Sequence, residues 1–272
     1  MNYPLAGRTA LVTGVSRPRG IGYAVARTLA RLGASVVVHH FAPHDAEQPW
    51  GGADVEAVRA GIRSQLTEGA QTADFSADLS DASAAAPLID QAVSLTGRLD
   101  ILVCNHARSG LDGSIADVTL AGLDAHWSIN ARATFLLTQR FAERFDWDGS
   151  EAGRGRVIWF TSGQLHGPMR DEFAYVASKA AIAGSTATAA AELVEHGISL
   201  NTVNPGVTNT GYLDPGTTDR PEALDGLRAA MPFGRFGEPD DAARLIAWLV
   251  GPDGRWMVGE VLSSEGGFRL RP

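Results

Sequence analysis

The fold is decided by residues 9–22, which read Thr9-Ala10-Leu11-Val12-Thr13-Gly14-Val15-Ser16-Arg17-Pro18-Arg19-Gly20-Ile21-Gly22. The first residues have the apolar character of a buried strand. After Gly20, apolar residues recur every four positions at Ile21, Val25 and Leu29, as they do on one face of a helix. Glycines in a strand-to-helix turn allow a ligand to approach the backbone closely, and the helix N-terminus binds a pyrophosphate. The segment therefore predicts a βα unit that opens a nucleotide-binding domain.

Short apolar runs alternate with alanine-rich helical stretches along the rest of the chain. We predict strands near Arg8–Thr13, Ser35–Val38, Gln71–Phe75, Leu99–Val103, Arg156–Phe160, Ile198–Val203 and Glu260–Leu262. We predict helices near Gly20–Leu32, Asp54–Leu66, Ala82–Thr96, Gly122–Phe145, Phe173–His196 and Pro239–Val250. Strands separated by helices form parallel sheets. The pattern predicts an α/β fold, a single Rossmann-type domain over residues 1–272 whose doubly wound, seven-stranded parallel sheet carries helices on both faces.

Three stretches interrupt this rhythm. Phe41–Gly52, within a predicted insertion at 41–53, holds two prolines and two glycines and is predicted to be a loop after the second strand. Asp146–Gly155 is polar and glycine-rich, which indicates a surface insertion. Asp214–Ala230 is predicted to form a mobile loop and a short helix. Because it follows the carboxyl end of a strand, we expect residues 207–232 to form a lid on the substrate side.

Composition excludes several classes of partner. The 272 residues include 23 basic and 31 acidic ones, a formal net charge of -8, which argues against a nucleic-acid or anionic-membrane partner. We see no signal peptide and no apolar run near the roughly 20 residues of a membrane span, and we expect a cytoplasmic protein. The single cysteine, Cys104, excludes an intrachain disulfide, and the seven histidines lack metal-ligand spacing, so we expect no metal site. Lys179 is the only lysine.

Two arginines in the glycine-rich turn bear on the choice of cofactor. Arg17 and Arg19 lie where the adenosine half of a dinucleotide would pass, and a guanidinium there would hold a 2′-phosphate. The alternative is that both are solvated loop arginines. NAD-binding folds usually place an acidic residue at the end of the second strand, whereas this strand ends His39-His40-Phe41. Both observations favour NADP(H) over NAD(H).

A tyrosine, a lysine and a serine are expected to converge near that turn. Tyr175 and Lys179 are four residues apart in a predicted helix and share one face. A neighbouring ammonium favours the phenolate, so we expect a lowered pKa for Tyr175. Ser162 follows the fifth strand, and the carboxyl ends of strands face the ligand crevice of a doubly wound sheet.

These residues resemble the short-chain dehydrogenase/reductase family, and in particular members similar to 3-oxoacyl carrier-protein reductases. The resemblance covers nearly the whole chain. It implies that Tyr175 donates or accepts a proton, that Ser162 binds the substrate oxygen, and that Lys179 lowers the tyrosine pKa and holds the nicotinamide ribose. It also implies that Asn130 supports a water-filled proton relay.

The resemblance further implies cofactor and substrate contacts. The cofactor-binding positions are Gly14, Ser16, Arg17, Arg19, Gly20, Ile21, Gly22, His40, Asp78, Leu79, Asn105, Tyr175, Lys179, Pro205, Gly206, Val207 and Thr210. The substrate-side positions are His106, His166, Met169, Arg170 and Tyr212. The chain departs from the family pattern in two places near the cofactor. Five residues rather than three separate Gly14 from Gly20, and Cys104-Asn105-His106-Ala107 matches the family's Asn-Asn-Ala-Gly only at Asn105.

The sequence leaves three functions open. The first is an NADP(H)-dependent oxidoreductase that interconverts a ketone and a secondary alcohol, with 3-oxoacyl thioesters among the candidate substrates. The second is an NAD-linked secondary alcohol dehydrogenase. The third is a non-catalytic NADP(H)-binding regulator on the same fold. We expect a small-molecule carbonyl or alcohol as the partner. The resemblance also implies a homo-oligomer, a tetramer or dimer, joined through the helices Gly122–Phe145 and Phe173–His196.

Overall fold

The computed structural model describes residues 3–48, 54–151, 153–218 and 224–270. The strands are β1 (Thr9–Val12), β2 (Ser35–His40), β3 (Thr72–Ser76), β4 (Ile101–Cys104), β5 (Gly155–Phe160), β6 (Ile198–Asn204) and β7 (Val261–Ser263). The α-helices are α1 (Ile21–Arg31), α2 (Ala42–Ala46), α3 (Val55–Arg63), α4 (Ala85–Thr96), α5 (Leu120–His126), α6 (Ala133–Arg144), α7 (Phe173–Val194), α8 (Leu224–Ala230) and α9 (Pro239–Val250). Short 3₁₀ turns cover Ala82–Ala84, Gly163–Leu165 and Phe268–Leu270.

The seven strands form one parallel sheet in the order β3-β2-β1-β4-β5-β6-β7, which confirms the predicted fold class. The chain runs outward from β1 to β3 and then returns to place β4 on the other side of β1. The strand order thus reverses between β1 and β4, and a crevice opens beyond their carboxyl ends. Ligands of doubly wound folds bind at this switch point.

The strands are buried on both faces because their side chains alternate between two cores. Ala10 and Val12 of β1 pack on one face, with α1, α3 and α9. Leu11 points to the opposite face, where α4, α6 and α7 cover the sheet. This two-sided cover explains why the strands read as continuous apolar runs. None of the helices in the described ranges is long and apolar enough to cross a membrane.

The prediction of a loop over Phe41–Gly52 is wrong in its first part, because Ala42–Ala46 forms the short helix α2. Pro43 stands in the first turn of that helix, where the helix needs no N–H group and the fixed φ of proline is favourable. A proline at this place favours a helix start. Residues 49–53 of the predicted insertion lie outside the described residues, as do Ala152 of the second insertion and residues 219–223 of the predicted lid.

The helix predicted over Gly122–Phe145 is divided into three parts. Between α5 and α6, Trp127–Arg132 form a π-helical turn. The chain stays helical throughout, so the sequence pattern shows no break, but the wider turn changes which side chains face the sheet. Single π-turns within α-helices occur frequently at functional sites. This one contains Asn130, which is fully buried.

Candidate functional site

The glycine-rich turn is closed onto the loop that follows β4. Asn105 donates from Nδ2 to the carbonyl oxygens of Thr13 and Gly14, both at 3.0 Å. A Cβ atom at Gly22 would stand 2.6 Å from that Nδ2, and a Cβ atom at Gly14, which has φ +71°, would stand 2.8 Å from the Cα of His106. Glycine is therefore required at both positions for the turn to close.

The start of α1 fits the phosphates of a dinucleotide. The helix begins at Ile21 after Gly20, and in the described part of the chain no side chain caps it and no acidic residue occupies its first turn. Its first N–H groups therefore point into the crevice with the positive end of the helix dipole. This is the donor set that binds pyrophosphate in nucleotide-binding folds.

Both arginines of the turn are joined to other segments, but only Arg17 is largely buried, whereas the Arg19 side chain is 60% exposed, as the alternative of a solvated arginine expects. Arg17 pairs through Nε with Asp45 Oδ1 of α2 at 3.1 Å and donates from Nη1 to the Thr210 carbonyl at 3.0 Å. Arg19 makes a two-pronged ion pair with Asp214, with distances of 2.6 and 3.3 Å. Asp45 is nearly buried. Sequence reasoning missed it because its segment was predicted to be a loop.

The end of β2 holds two histidines in different surroundings. His39 is buried, accepts from the Gly14 N–H at 3.3 Å and contacts the Ala77 carbonyl at 2.9 Å, and burial lowers its pKa to about 4. His40 contacts Asp74 Oδ2 at 3.1 Å. Arg59 also binds that carboxylate, and together the two partners hold the pKa of Asp74 below its usual value against the opposing effect of burial. An acidic group of β3 therefore stands beside the end of β2.

The remaining predicted cofactor positions lie along the same edge of the sheet. Asp78 accepts the Ser80 N–H at 2.8 Å directly beyond β3, and Leu79 beside it is buried. Beyond β6, Gly206 has φ +67°, and a Cβ atom there would lie 2.4 Å from the Cβ of Glu265. The segment from Pro205 to Thr210 thus runs against the turn after β7 on one side and against Arg17 on the other. The crevice is lined by the carboxyl-end loops of β1, β3, β4 and β6.

Tyr175, Ser162 and Lys179 come together at this edge. Lys179 is buried, donates from Nζ to the Phe160 carbonyl at 3.1 Å, and has its ammonium 5.7 Å from the centroid of the Tyr175 ring. Burial lowers the pKa of Lys179 to about 8. Burial raises the pKa of Tyr175 to about 12, and a hydrogen bond with Ser162 opposes that rise only in part. The pKa of Tyr175 is thus raised rather than lowered as the sequence predicts, because the loss of hydration outweighs the hydrogen bond with Ser162 and the charge of Glu172 adds to the rise.

Asn130 connects the π-helical turn to the helix that carries Tyr175. Its Oδ1 accepts the Arg108 N–H at 2.7 Å, and its Nδ2 donates to Ser178 Oγ at 2.9 Å. The Ser178 hydroxyl donates in turn to the Tyr175 carbonyl at 2.7 Å. The amide of Asn130 also lies 3.3 Å from Nδ1 of His126, a buried histidine that sequence reasoning missed.

The substrate-side candidates divide into three groups. Met169 lies with its sulfur 3.9 Å from Ser162 Oγ, and Tyr212 lies near Tyr175 with its own side chain 36% exposed. His166, farther out, contacts Ser263 Oγ at 2.6 Å, and Arg170 is exposed.

His106 is placed elsewhere, behind the glycine turn. Its ring contacts Thr13 Oγ1 at 2.7 Å and the Ile129 carbonyl at 3.0 Å, and burial lowers its pKa to about 3. The predicted substrate contact of His106 is not formed because both ring nitrogens are bonded inside the protein.

The comparisons with known proteins agree with this geometry. The family model described as enoyl-(acyl carrier protein) reductase matches residues 14–269. The chain is 37% identical over 262 residues to the uncharacterized oxidoreductase YjdA of Bacillus subtilis (strain 168), covering 96% of each chain. It is 34% identical to an NADPH-dependent aldehyde reductase-like chloroplastic protein of Arabidopsis thaliana, over 97% of this chain and 95% of the relative. It is similar to the solved structure of a short chain dehydrogenase from Burkholderia cenocepacia J2315 in complex with NADP, with a TM-score of 0.80 and 33% identity over 97% of this chain and 99% of that chain.

Proposed function

Since the chain belongs to the short-chain dehydrogenase/reductase family, and is an oxidoreductase acting on carbonyl or alcohol groups, we propose that it is an NADP(H)-dependent carbonyl reductase with Tyr175 as its general acid. One observation carries this proposal. The phenol of Tyr175 lies within hydrogen-bonding reach of Ser162, and the Lys179 ammonium lies 5.7 Å from its ring centroid, so a proton donor, a hydroxyl and a cation are grouped at the carboxyl edge of the sheet. A protonated phenol can donate to a carbonyl oxygen, whereas alcohol oxidation requires the phenolate.

The side chains have separate tasks in this mechanism. Ser162 Oγ donates a hydrogen bond to the substrate oxygen and orients the carbonyl, and Tyr175 Oη transfers its proton to the same oxygen. When bound, the nicotinamide supplies the hydride. The ammonium of Lys179 stabilises the phenolate that remains, and Asn130 supports the path along which a proton returns to Tyr175. Alcohol oxidation is the same exchange in reverse.

NADP(H) is the cofactor that the surroundings of the adenosine half support best. Arg17 and Arg19 stand in the glycine-rich turn, where that half would pass, and a 2′-phosphate is a stronger partner for either than a hydroxyl. The carboxylates of Asp45 beside Arg17 and of Asp214 beside Arg19 would oppose a further negative charge, and they keep the NAD-linked enzyme as a second candidate. Titration of the protein with NADPH and NADH separates the two. The proposal expects tighter binding of NADPH, and equal or tighter binding of NADH would contradict it.

A non-catalytic NADP(H)-binding regulator is less well supported. A protein that only binds the cofactor has no need of a serine, a tyrosine and a buried lysine grouped at the nicotinamide end. A turnover measurement distinguishes an enzyme from a protein that only binds the cofactor. The absorbance of NADPH is followed with a panel of 3-oxoacyl thioesters, small cyclic diketones and aldehydes. Oxidation of NADPH by at least one carbonyl is expected, and no turnover across the panel despite tight NADPH binding would favour the regulator.

We also propose a homo-oligomer joined through α5, the π-helical turn and α7. Leu123, Trp127 and Phe173 expose large apolar areas on this face, with Trp127 49% exposed. The first two line a shallow cleft together with Ala174 and Ala177 of α7. Burying such a patch against a second copy removes it from water. Light scattering is expected to give a dimer or tetramer, and a monomer would refute the assembly.

A further inference from the structure

The helix that carries Tyr175 is capped by a residue from a different part of the chain. An α-helix leaves its first N–H groups without partners inside the helix. Within the described residues, the side chain of Glu172, the N-cap residue of α7, makes no capping hydrogen bond. Asp112 fills this role from the loop after β4. Its Oδ1 accepts the Ala174 N–H and its Oδ2 accepts the Tyr175 N–H, both at 2.8 Å. These are the second and third residues of α7, whose N–H groups normally donate to the side chain of the N-cap residue.

The loop that presents Asp112 is itself held in place. The Gly113 carbonyl accepts the Phe173 N–H at 3.0 Å, so backbone and side chain both bind the start of α7. Leu111, directly before Asp112, has φ +53°, a left-handed conformation that is costly for a residue with a branched apolar side chain. The carboxylate of Asp112 therefore follows a strained backbone position and precedes the Gly113 carbonyl that binds the start of α7.

His126 links the same loop to Asn130. Its Nε2 lies 2.8 Å from the Gly110 carbonyl and 3.7 Å from Asp112 Oδ2, and its Nδ1 faces the Asn130 amide at 3.3 Å. The imidazole is buried, which lowers its pKa, and its ring meets the Tyr175 ring edge-on with centroids 6.0 Å apart. The loop 110–113 is therefore in contact with both Tyr175 and the residue that holds Asn130.

We propose that Asp112 is a positioning residue of the reaction centre, which sets the place of Tyr175 by holding the first turn of α7. The proposal rests on the proposed function, in which Tyr175 donates the proton. Asp112 contacts backbone N–H groups on the helix and not the reacting atoms. Its carboxylate binds two adjacent N–H groups at the positive end of the helix dipole, so its loss frees the turn that carries Tyr175. A displacement of about 1 Å in a reacting group can reduce turnover by about 100-fold.

Three variants test the role of Asp112. Asp112→Ala removes both acceptors, and Asp112→Asn keeps one oxygen of the same shape. Asp241→Ala is the matched control, because Asp241 accepts the Glu238 N–H at 2.9 Å at the start of α9, away from Tyr175. For each protein, kcat and KM are measured with the carbonyl of the panel that is reduced fastest. The dissociation constant of NADPH and the hydrogen exchange of the Ala174 and Tyr175 amides are measured in parallel.

We expect Asp112→Ala to lower kcat by about 10- to 100-fold, with KM and the NADPH dissociation constant changed less than about threefold. Exchange of the two amides should become faster in Asp112→Ala. Asp112→Asn should recover part of kcat, because its one oxygen can accept from only one of the two N–H groups. Asp241→Ala should keep kcat near that of the unmodified protein. Unchanged kcat in Asp112→Ala, or an Asn variant no better than the Ala variant, would overturn the positioning role. Amide exchange does not depend on turnover. Faster exchange with unchanged kcat would therefore show that Asp112 holds the start of α7 but does not affect catalysis. Full turnover in Tyr175→Phe refutes the proposed function.

Discussion

Replacing Gly22 by alanine tests whether the glycine-rich turn needs the close contact with Asn105. The new Cβ would lie 2.6 Å from Asn105 Nδ2, 2.8 Å from the Gly14 carbonyl oxygen and 3.0 Å from Val15 Cγ2. The Asn105 amide must move, which breaks its two hydrogen bonds to the carbonyls of Thr13 and Gly14. Each such bond contributes about 1 kcal/mol.

The crowding itself lowers the free energy of unfolding by about 1–3 kcal/mol. Alanine in place of glycine in a helix raises it by about 1 kcal/mol. We therefore expect the free energy of unfolding to fall by about 2–4 kcal/mol, and Tm to fall by about 4–8 °C for a chain of this size. The measurement is thermal unfolding followed by circular dichroism, repeated with saturating NADPH. NADPH binding should also weaken, because the displaced amide opens the turn.

Gly184 supplies the matched control. It lies on the exposed side of α7, and a Cβ atom there would have nothing within 4 Å. Gly184→Ala should be neutral or stabilise the protein by about 0.5–1 kcal/mol. A Gly22→Ala variant that melts with the unmodified protein and binds NADPH equally well would refute the account of the turn.

Three further predictions follow from the charges and the burial of single residues. Arg19→Ala should raise the dissociation constant of NADPH by at least about tenfold and that of NADH much less, whereas equal weakening of both would show that Arg19 does not read the 2′-phosphate. Burial lowers the pKa of His39 to about 4 and of His106 to about 3, so below about pH 6.5 the unfolded chain binds protons that the folded chain does not. The free energy of unfolding in urea should then fall by about 1.4 kcal/mol per pH unit for each of these imidazoles as the pH drops, and a constant value between about pH 7 and 5 would contradict this. Burial raises the pKa of Cys104 to about 12, so this thiol should resist alkylation in the folded protein at neutral pH, and rapid labelling would show that it is accessible.

The sequence predicts the architecture because local signals and topology agree. Glycines mark the turn after β1, apolar runs mark strands buried on both faces, and Tyr175 and Lys179 are one helical turn apart. The connection rules of parallel sheets then bring Ser162 to the same edge. These inferences need only residue type, spacing and strand order.

The remaining features depend on contacts between segments far apart in the chain. Asp112 caps a helix that begins 61 residues later, and no local pattern distinguishes it from any other loop aspartate. His106 occupies a position next to the predicted site, but the path of the backbone after β4 directs its ring inward. Asp45 pairs with Arg17 only because α2 folds back across the glycine-rich turn. The spacing of residues along the sequence does not predict such contacts between distant segments.

The single lysine of the chain illustrates how composition and structure combine. The other 22 of the 23 basic residues are arginines, and Lys179 is buried against the ring of Tyr175. Burial lowers its pKa to about 8, within reach of neutral pH. A guanidinium is broader and keeps its proton in proteins. A compact ammonium therefore suits this buried position beside the tyrosine ring better than a guanidinium.

The role of Tyr175 as proton donor is tested by comparing Tyr175→Phe with the unmodified protein. NADPH oxidation is measured with the carbonyl that the unmodified protein reduces fastest, and NADPH binding is measured on the same samples. We expect turnover to fall by at least about 100-fold, while the NADPH dissociation constant changes less than about threefold. A variant that keeps more than about a tenth of the turnover would show that Tyr175 is not the proton donor.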